Sequence, residues 1–229
     1  MRAVVDWSYG LLSEEEQLIF RALGIFTGGF TVEAAAAVAM DPANTRVDAI
    51  DRLADLVAKS LVVADVSEAK PRFRLLDTTR AYAIEKLDES AARDQIARRH
   101  AEYHRQIFER AEVEATARQT DEWLADYARE IDNLRAALDW AFSPGGDGSI
   151  GVALTAAAVP LWMRLSLPEE CRGRAERALA ALGAGASRDA RHEMKLRGAV
   201  AASLLFSRGP ARPETSVAYT KALEICGEP

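Results

Sequence analysis

Two histidines one helical turn apart, His100 and His104 in the segment HAEYH, have the spacing that best suits a metal site. Residues four apart on a helix share a face, and two imidazoles there can hold a zinc ion. The segment lacks the glutamate placement of the H-E-x-x-H motif, and the sequence suggests no third ligand. Because His100 also falls on an apolar helix face, we interpret it as a core histidine.

The other reactive side chains do not form a catalytic set. The sequence has no G-x-x-x-x-G-K-[ST] loop, the motif that holds nucleotide phosphates with backbone amides and a lysine. The glycine pairs at 28–29 and 145–146 are interpreted as turns. Cys171 and Cys226 lie far apart without a C-x-x-C motif, so no disulfide framework or thiol chemistry is expected. We therefore predict a chain that is not an enzyme and has no metal site.

Composition limits the class of protein. Of the 229 residues, 49% are hydrophobic and 28% are charged, as in globular chains that bury a core. No run approaches the roughly 18 apolar residues of a membrane span, and the N-terminus lacks a signal-peptide pattern. Alanine is abundant and aromatic residues are few, which favours helices. We expect a mainly α-helical, cytoplasmic protein.

Cap and turn signals predict a winged helix in residues 1–90. Ser13 followed by Glu16 is a capping box that starts one helix, Thr31 caps a second, and a third is expected over 45–60. The segment LVVADVSEAKPRFRLL then predicts a β-hairpin with strands at 61–65 and 72–76. Asp77 is expected to cap the helix that follows. Three helices, a two-stranded wing and a further helix form the element order of a winged helix.

Apolar spacing predicts which helix faces are buried. For the first capped helix, the expected core stripe consists of Leu18, Ile19, Ala22 and Leu23. For the third helix, the expected buried side consists of Val47, Ile50, Leu53, Ala54 and Val57.

Beyond residue 90 the chain is predicted to be helical. Residues 91–146 are interpreted as a helical hairpin, with helices over 94–118 and 120–142, and SPGGDGS at 143–149 as a linker-like break. Residues 147–229 are predicted to be tetratricopeptide-like repeats of an α-solenoid. The apolar pairs at 157–158 and 161–162 recur 44 residues later, at 201–202 and 205–206. Near the end, three residues match the second helix of a tetratricopeptide repeat: Tyr219, Ala222 and Pro229.

The charge distribution argues against DNA binding by the winged helix. Residues 1–90 contain ten Lys and Arg against fifteen Asp and Glu, a net charge of −5, and the remainder has nineteen against twenty. The third helix, in the place of a DNA recognition helix, balances its basic residues with aspartates at 48, 51 and 55. Phosphate contacts by basic side chains supply most of the sequence-independent affinity for DNA. We therefore expect that this chain does not bind DNA directly.

Several segments in order resemble one family. DWSYGLLSEEEQLIFRALGIFTGGFTVEAAAAV, LADLVAKSLV, RFRLLDTTRAYAIEKL, RRHAEYH and DNLRAALDWA are similar to the STAND class of signal-transduction ATPases, which includes LuxR-type bacterial transcription regulators. The resemblance covers roughly residues 1 to 165. It implies a winged helix and a helical-repeat sensor placed after an ATPase core that binds ATP or ADP. This chain contains no such core, so we expect a fragment or a shortened gene product.

The resemblance also suggests two site residues. Leu75-Leu76-Asp77 is similar in place to the Met-His-Asp motif of plant immune receptors, whose histidine contacts the phosphate of ADP. Here the histidine position is Leu76, which cannot donate to phosphate. Asp77 and Arg80 remain candidates that face a nucleotide or another domain. The favoured interpretation is that Leu75 and Leu76 pack on the wing while Asp77 caps the helix.

Two functions follow from these observations. The favoured one is a non-catalytic regulatory module, in which the winged helix couples an ATPase core to a helical sensor that binds a peptide or small-molecule signal. The alternative is a free-standing regulator whose third helix enters the major groove of DNA.

Overall fold

Helices account for most of the residues that the computed structural model describes, which are 2–41, 45–67, 71–184, 190–209 and 212–226. Two compact units can be distinguished. Unit 1 contains Met1–Tyr103 and Arg129–Ala137, and unit 2 contains His104–Ala128 and Leu138–Pro229. The domain boundaries expected at residues 90 and 146 stay predictions.

Unit 1 contains the winged helix. Helix α1 (Arg2–Gly10) precedes the three helices α2 (Glu14–Leu23), α3 (Val32–Ala39) and α4 (Arg46–Ala58). Strands β1 (Val63–Asp65) and β2 (Arg72–Arg74) pair antiparallel and lead into α5 (Asp77–Asp88). Between α2 and α3, Phe30 adds one bridge to Phe73, and the two backbone N–O distances are both 2.8 Å. The predicted fold class, mainly α with an N-terminal winged helix, is confirmed.

The predicted helix starts follow local hydrogen bonding. The Ser13 amide donates to the Glu16 carboxylate at 2.8 Å, and the Glu16 amide donates to the Ser13 hydroxyl at 3.2 Å. Thr31 accepts from the amide of Ala34 in the same way. Each such cap satisfies an amide that the helix itself leaves without a partner.

Aromatic side chains form the centre of the unit 1 core. Phe20, Phe26 and Phe30 are fully buried, and the rings of Phe26 and Phe30 stack with centroids 4.7 Å apart. The end of α2 approaches α5 closely, because a Cβ atom on Gly24 would lie 2.9 Å from the Cβ of Ala83. Only glycine fits at Gly24 without a shift of one helix.

The buried faces of two helices differ from the prediction. Leu18 is 57% exposed, although Ile19, Ala22 and Leu23 are buried as expected. In α4 the buried residues are Ala49, Leu53 and Leu56. The predicted core residues Val47, Ile50 and Ala54 are exposed instead, so the helix is rotated relative to the expected orientation. Both choices give a helical stripe, and the neighbours α2 and α3 decide between them.

The helices after the winged helix are less continuous than predicted. Helix α6 spans Arg93–Glu114 and α7 spans Thr120–Tyr127. A 3₁₀ turn at Ala128–Glu130 separates α7 from α8 (Ile131–Ala141). The single helix expected over 120–142 is therefore wrong. Of the predicted break at 143–149, residues 143–147 form a tight turn before the next helix begins at Gly148. The turn requires glycine, because a Cβ on Gly146 would lie 2.0 Å from the Trp140 carbonyl oxygen.

Unit 2 contains two consecutive helix pairs. Helices α9 (Gly148–Arg164) and α10 (Pro168–Ala184) are followed by α11 (Ala190–Arg208) and α12 (Pro213–Cys226). Each helix contacts the next, and α9 also contacts α11, as stacked pairs do. The 44-residue offset maps α9 on α11 and α10 on α12. The match is incomplete, since Trp162 is fully buried and its counterpart Phe206 is 74% exposed.

The tetratricopeptide assignment of these pairs stays a prediction. The side chains of Tyr219 and Ala222, and all of Pro229, lie outside the described residues. Among the described residues, no helix is long and apolar enough to cross a membrane.

Candidate functional site

Helix α4 stands in the place of a recognition helix, and a capping box marks its start. The Asp48 amide donates to the Thr45 hydroxyl at 3.2 Å, while the Thr45 amide donates to the Asp48 carboxylate at 2.7 Å. The Thr45 hydroxyl also donates to the Asp48 carboxylate at 2.7 Å, and this bond, followed by the one from the Thr45 amide, holds the pKa of Asp48 below its ordinary value. The helix that follows buries Leu53 and Leu56 completely. The opposite face of the helix is exposed to solvent.

All three basic side chains in and beside α4 are held by glutamates of the winged helix. Arg46 pairs with Glu33 of α3 at 2.9 Å, and Arg52 pairs with Glu15 of α2 at 2.7 Å.

Lys59, which directly follows α4, donates to the carboxylate of Glu16, whose side chain is only 8% exposed. This bond, together with the Ser13 amide, holds the pKa of Glu16 below its ordinary value. Each basic side chain in and beside α4 is thus paired with a glutamate of the same domain.

The outward face of α4 is a continuous stripe of apolar and acidic residues. Its members share the spacing of one helix face and are all exposed: Val47, Ile50, Asp51, Ala54, Asp55 and Ala58. Within the described part of the chain, no ion pair neutralises Asp51 or Asp55. We call these six residues the α4 stripe.

The α4 stripe is poorly suited to a nucleic acid. A duplex presents one negative charge per about 1.7 Å of its axis, and proteins bind it mainly by neutralising phosphates. A helix that brings two carboxylates and paired basic side chains into the groove would be repelled. Its apolar residues would instead gain from contact with another apolar surface.

The two candidate nucleotide-facing residues lie at the start of α5, and one of them contacts the protein itself. The Arg80 Nε donates to the Phe26 carbonyl at 2.7 Å. Burial lowers the pKa of the Arg80 guanidinium, and the charge of Asp77 partly offsets that effect. Arg80 thus satisfies a backbone group in the loop between α2 and α3.

Asp77 does not act as the predicted helix cap. The N-cap of α5 is Leu76, without a side-chain hydrogen bond, and Asp77 is the first helical residue. Its carboxylate lies at the positive end of the helix dipole, which favours a negative charge. Leu75 is buried, as expected for packing on the wing, whereas Leu76 is 45% exposed.

Asn133 has a role that sequence analysis did not assign. Its carboxamide oxygen accepts from the amides of Thr27 at 3.0 Å and Gly28 at 3.1 Å, and its nitrogen donates to the Gly29 carbonyl at 3.0 Å. Arg72 of β2 adds a bond to the same Gly29 carbonyl at 2.7 Å. The loop at 27–29 is therefore fixed by two distant side chains. The only sequence signal was the inclusion of Asn133 in the segment DNLRAALDWA.

The two histidines are both buried. His100 is 1% exposed and packs edge-on against Phe26 with ring centroids 5.1 Å apart, as expected of a core histidine. His104 is 0% exposed. Among the residues that the structure describes, no group of three or more His, Cys, Asp or Glu has a geometry that would hold a metal ion.

Unit 2 has a pocket of about 430 Å³ between α10, α11 and α12. Its walls are mostly apolar, with charged side chains among them, and consist of Glu176, Leu179, Arg197, Val200, Pro213, Glu214, Val217 and Ala218. Arg197 is held by Glu193 at 2.8 Å. A pocket of this size, with few polar groups, suits a small molecule or one peptide side chain.

Comparison with known proteins agrees with the fold of unit 1. Residues 12–88 match the family model of the winged helix-turn-helix domain. Over 163 residues, the chain is 40% identical to proteins of Mycobacterium bovis and Mycobacterium tuberculosis, each named a putative HTH-type transcriptional regulator. An uncharacterized protein of Mycobacterium tuberculosis is 37% identical over 105 residues.

These relatives are much longer than the chain. The alignment to the regulators covers 71% of this chain and 18% of each relative, and that to the uncharacterized protein covers 45% and 27%. No solved structure was found to match the chain.

Proposed function

We propose that this chain is a non-catalytic regulatory module of a transcription regulator, in which the winged helix makes protein contacts and does not read DNA. The observation that carries the proposal is the state of α4: Arg46, Arg52 and Lys59 are each ion-paired with a glutamate. The winged-helix match and the relatives named as HTH-type regulators support the regulatory class.

More specifically, we propose that the winged helix transmits a conformational change, as in the STAND class, and we call this the lever. The winged helix would couple an ATPase core, carried by another polypeptide region, to the helix pairs of unit 2. ATP or ADP would be bound by that core. A signal that binds the two states of the assembly unequally shifts their populations without any chemistry in this chain.

The pocket between α10, α11 and α12 supports a sensor role for unit 2. Its apolar walls offer burial to a signal molecule, and its charged side chains offer a few polar contacts that give selectivity. We propose a peptide or small-molecule signal there, acting in the cytoplasm.

DNA binding is the decisive test of this proposal. Residues 1–229 are titrated against a labelled random duplex, with fluorescence anisotropy read at about 50 and 200 mM salt. We expect no saturation in the micromolar range even at the lower salt. Tight binding that weakens steeply with salt would refute the proposal.

A matched variant makes a negative result informative. Glu15→Gln, Glu33→Gln, Asp51→Asn and Asp55→Asn together release two arginines and remove two carboxylates from α4. This variant should gain salt-dependent affinity for the duplex, which proves that the assay detects a basic α4.

The coupling to an ATPase is tested separately by a pull-down. Tagged residues 1–229 are mixed with the ATPase region encoded beside this segment, in ADP or in a non-hydrolysable ATP analogue. We expect capture that differs between the two nucleotides. Equal capture in both nucleotides, or no capture, would contradict the lever. The broader proposal of a non-catalytic regulatory module would then remain.

The second candidate is a free-standing DNA-binding regulator. The winged helix-turn-helix match and the HTH-type naming of the relatives favour it. Rearrangement of the α4 ion pairs on contact with phosphate would be required. Specific, salt-dependent binding lost in the Arg46→Ala/Arg52→Ala double variant would favour this candidate over the lever.

A further inference from the structure

We propose that the α4 stripe is a docking surface for an amphipathic helix that carries lysine or arginine beside an apolar row. This inference rests on the proposed protein-contacting role of the winged helix and names the chemistry of the partner. Three properties of the stripe lead to it: its geometry, its apolar content and its charge.

The geometry suits a helix rather than a loop or a sheet edge. The stripe runs from Val47 to Ala58 with helical spacing, and therefore extends about 17 Å along α4. This length corresponds to three turns of a partner helix. Ala54 and Ala58 are small, and small side chains at a contact allow helix axes to approach toward the lower end of the 8–10 Å range.

The two large apolar residues lie at the N-terminal end of the stripe. Val47 is 64% exposed and Ile50 is 43% exposed, whereas Leu53 on the opposite face is fully buried. Single exposed apolar residues are common on protein surfaces, but aligned residues on a helix indicate a contact surface. An apolar row on the partner would cover Val47 and Ile50.

The charge of the stripe selects the partner. Asp51 and Asp55 lie on the same face as Ile50. The two arginines of this region are already ion-paired with Glu15 and Glu33. A partner that places Lys or Arg beside its apolar row would neutralise both aspartates, whereas an acidic partner would be repelled. A second copy of this chain, with a net charge of −6, is disfavoured for the same reason.

The test uses two designed peptides of about 18 residues, long enough to form helix in contact with a surface. The first has a leucine row flanked by lysines, and the second has glutamate at each lysine position. Binding to residues 1–229 is measured by anisotropy of the labelled peptide. We expect the lysine peptide to bind and to weaken as salt rises, and the glutamate peptide to bind at least about tenfold less tightly.

Variants locate the binding surface. Ile50→Ser should weaken the lysine peptide about tenfold, and Asp51→Asn/Asp55→Asn should weaken it and flatten its salt dependence. The control is Asp94→Asn, an exposed aspartate in the first turn of α6 that should leave binding unchanged. Circular dichroism confirms that each variant is folded.

Several outcomes would overturn the inference. They are the absence of binding by the lysine peptide, equal binding of both peptides, or affinity that the stripe variants do not change. In these cases the regulatory proposal would survive if duplex DNA is also not bound. Salt-dependent binding of DNA through Arg46 and Arg52 would overturn both.

Discussion

The Asn133 carboxamide oxygen accepts a hydrogen bond from the Gly28 amide at 3.1 Å, although the two residues are 105 positions apart. The side chain of Asn133 is fully buried, and its nitrogen donates to the Gly29 carbonyl. One carboxamide therefore satisfies backbone donors and an acceptor in the loop between α2 and α3. Backbone groups shielded from water lose free energy when their hydrogen-bond partner is removed. Asn133 is thus a structural requirement of the loop that leads into the three-helix core.

Replacement of Asn133 by alanine should destabilise the protein by about 1–3 kcal/mol, because the part-buried amides of Thr27 and Gly28 lose their acceptor and the Gly29 carbonyl loses a donor. The free energy of unfolding is measured by urea denaturation. The matched control is Arg135→Ala, which removes an exposed ion pair with Asp132 on the same helix and should change stability by less than about 1 kcal/mol. Similar losses in both variants would contradict this role of Asn133.

Helix starts could be predicted from the sequence, whereas the orientation of α4 could not. Ser13, Thr31 and Thr45 each bond to an amide three residues further on, so the information lies within one turn. In α4 both the predicted and the observed buried stripes have helical spacing and share Leu53. Only contact with α2 and α3 decides between them, and those contacts are not encoded in the local pattern.

Burial of His100 could be predicted from local spacing, whereas the hydrogen-bond partners of Arg80 and Asn133 could not. His100 was expected in the core because it continues an apolar stripe, and it is buried against Phe26. The bond from Arg80 to the Phe26 carbonyl joins residues 54 positions apart. The Asn133 bonds join residues more than 100 apart. Partners at such separations depend on the complete fold, so no local spacing indicates them.

Substitution Arg80→Ala should cost stability rather than remove a nucleotide contact. Loss of the guanidinium leaves the Phe26 carbonyl without its 2.7 Å bond, a cost of about 1–2 kcal/mol. Urea denaturation is the measurement, and Arg74→Ala, at an exposed position of β2, is the control. If stability is unchanged but ADP affinity falls in the complex with the ATPase region, Arg80 faces the nucleotide instead.

Acid should destabilise unit 1 partly through Glu16. Hydrogen bonds from Lys59 and then from the Ser13 amide hold its folded-state pKa below the ordinary value of 4.5. A lowered folded pKa contributes stability above about pH 4.5 that is lost as the pH falls through the folded value. Glu16→Gln keeps the shape of the capping box but removes the charge, so its unfolding free energy should depend less on pH below 5. The exposed Glu14→Gln variant should retain the slope of the parent protein.

Alkali should act on unit 2 through Tyr127. Burial, followed by a 2.9 Å hydrogen bond to Glu114, raises the pKa of Tyr127 to about 12. Because the folded pKa lies above the ordinary value of 10.0, the contribution to stability is complete below pH 10 and is lost as the pH rises toward 12. The measurement is a pH titration of phenolate absorbance, in which the Tyr127→Phe variant should lack one tyrosine that ionises at high pH in the parent protein. Loss of an early-ionising tyrosine would contradict the burial of this hydroxyl.

The orientation of α4 can be tested with two alanine substitutions on opposite faces. Leu53 is fully buried, so Leu53→Ala should cost about 3 kcal/mol through lost burial and the cavity that remains. Ile50 is 43% exposed, and Ile50→Ala should change the unfolding free energy by less than about 1 kcal/mol. Urea denaturation distinguishes the two variants. The sequence pattern predicts that both residues are buried, so a large loss at Leu53 alone is expected only for the observed orientation of the helix. Comparable losses in the two variants would mean that Ile50 is buried as the sequence predicts and that the α4 stripe is not exposed.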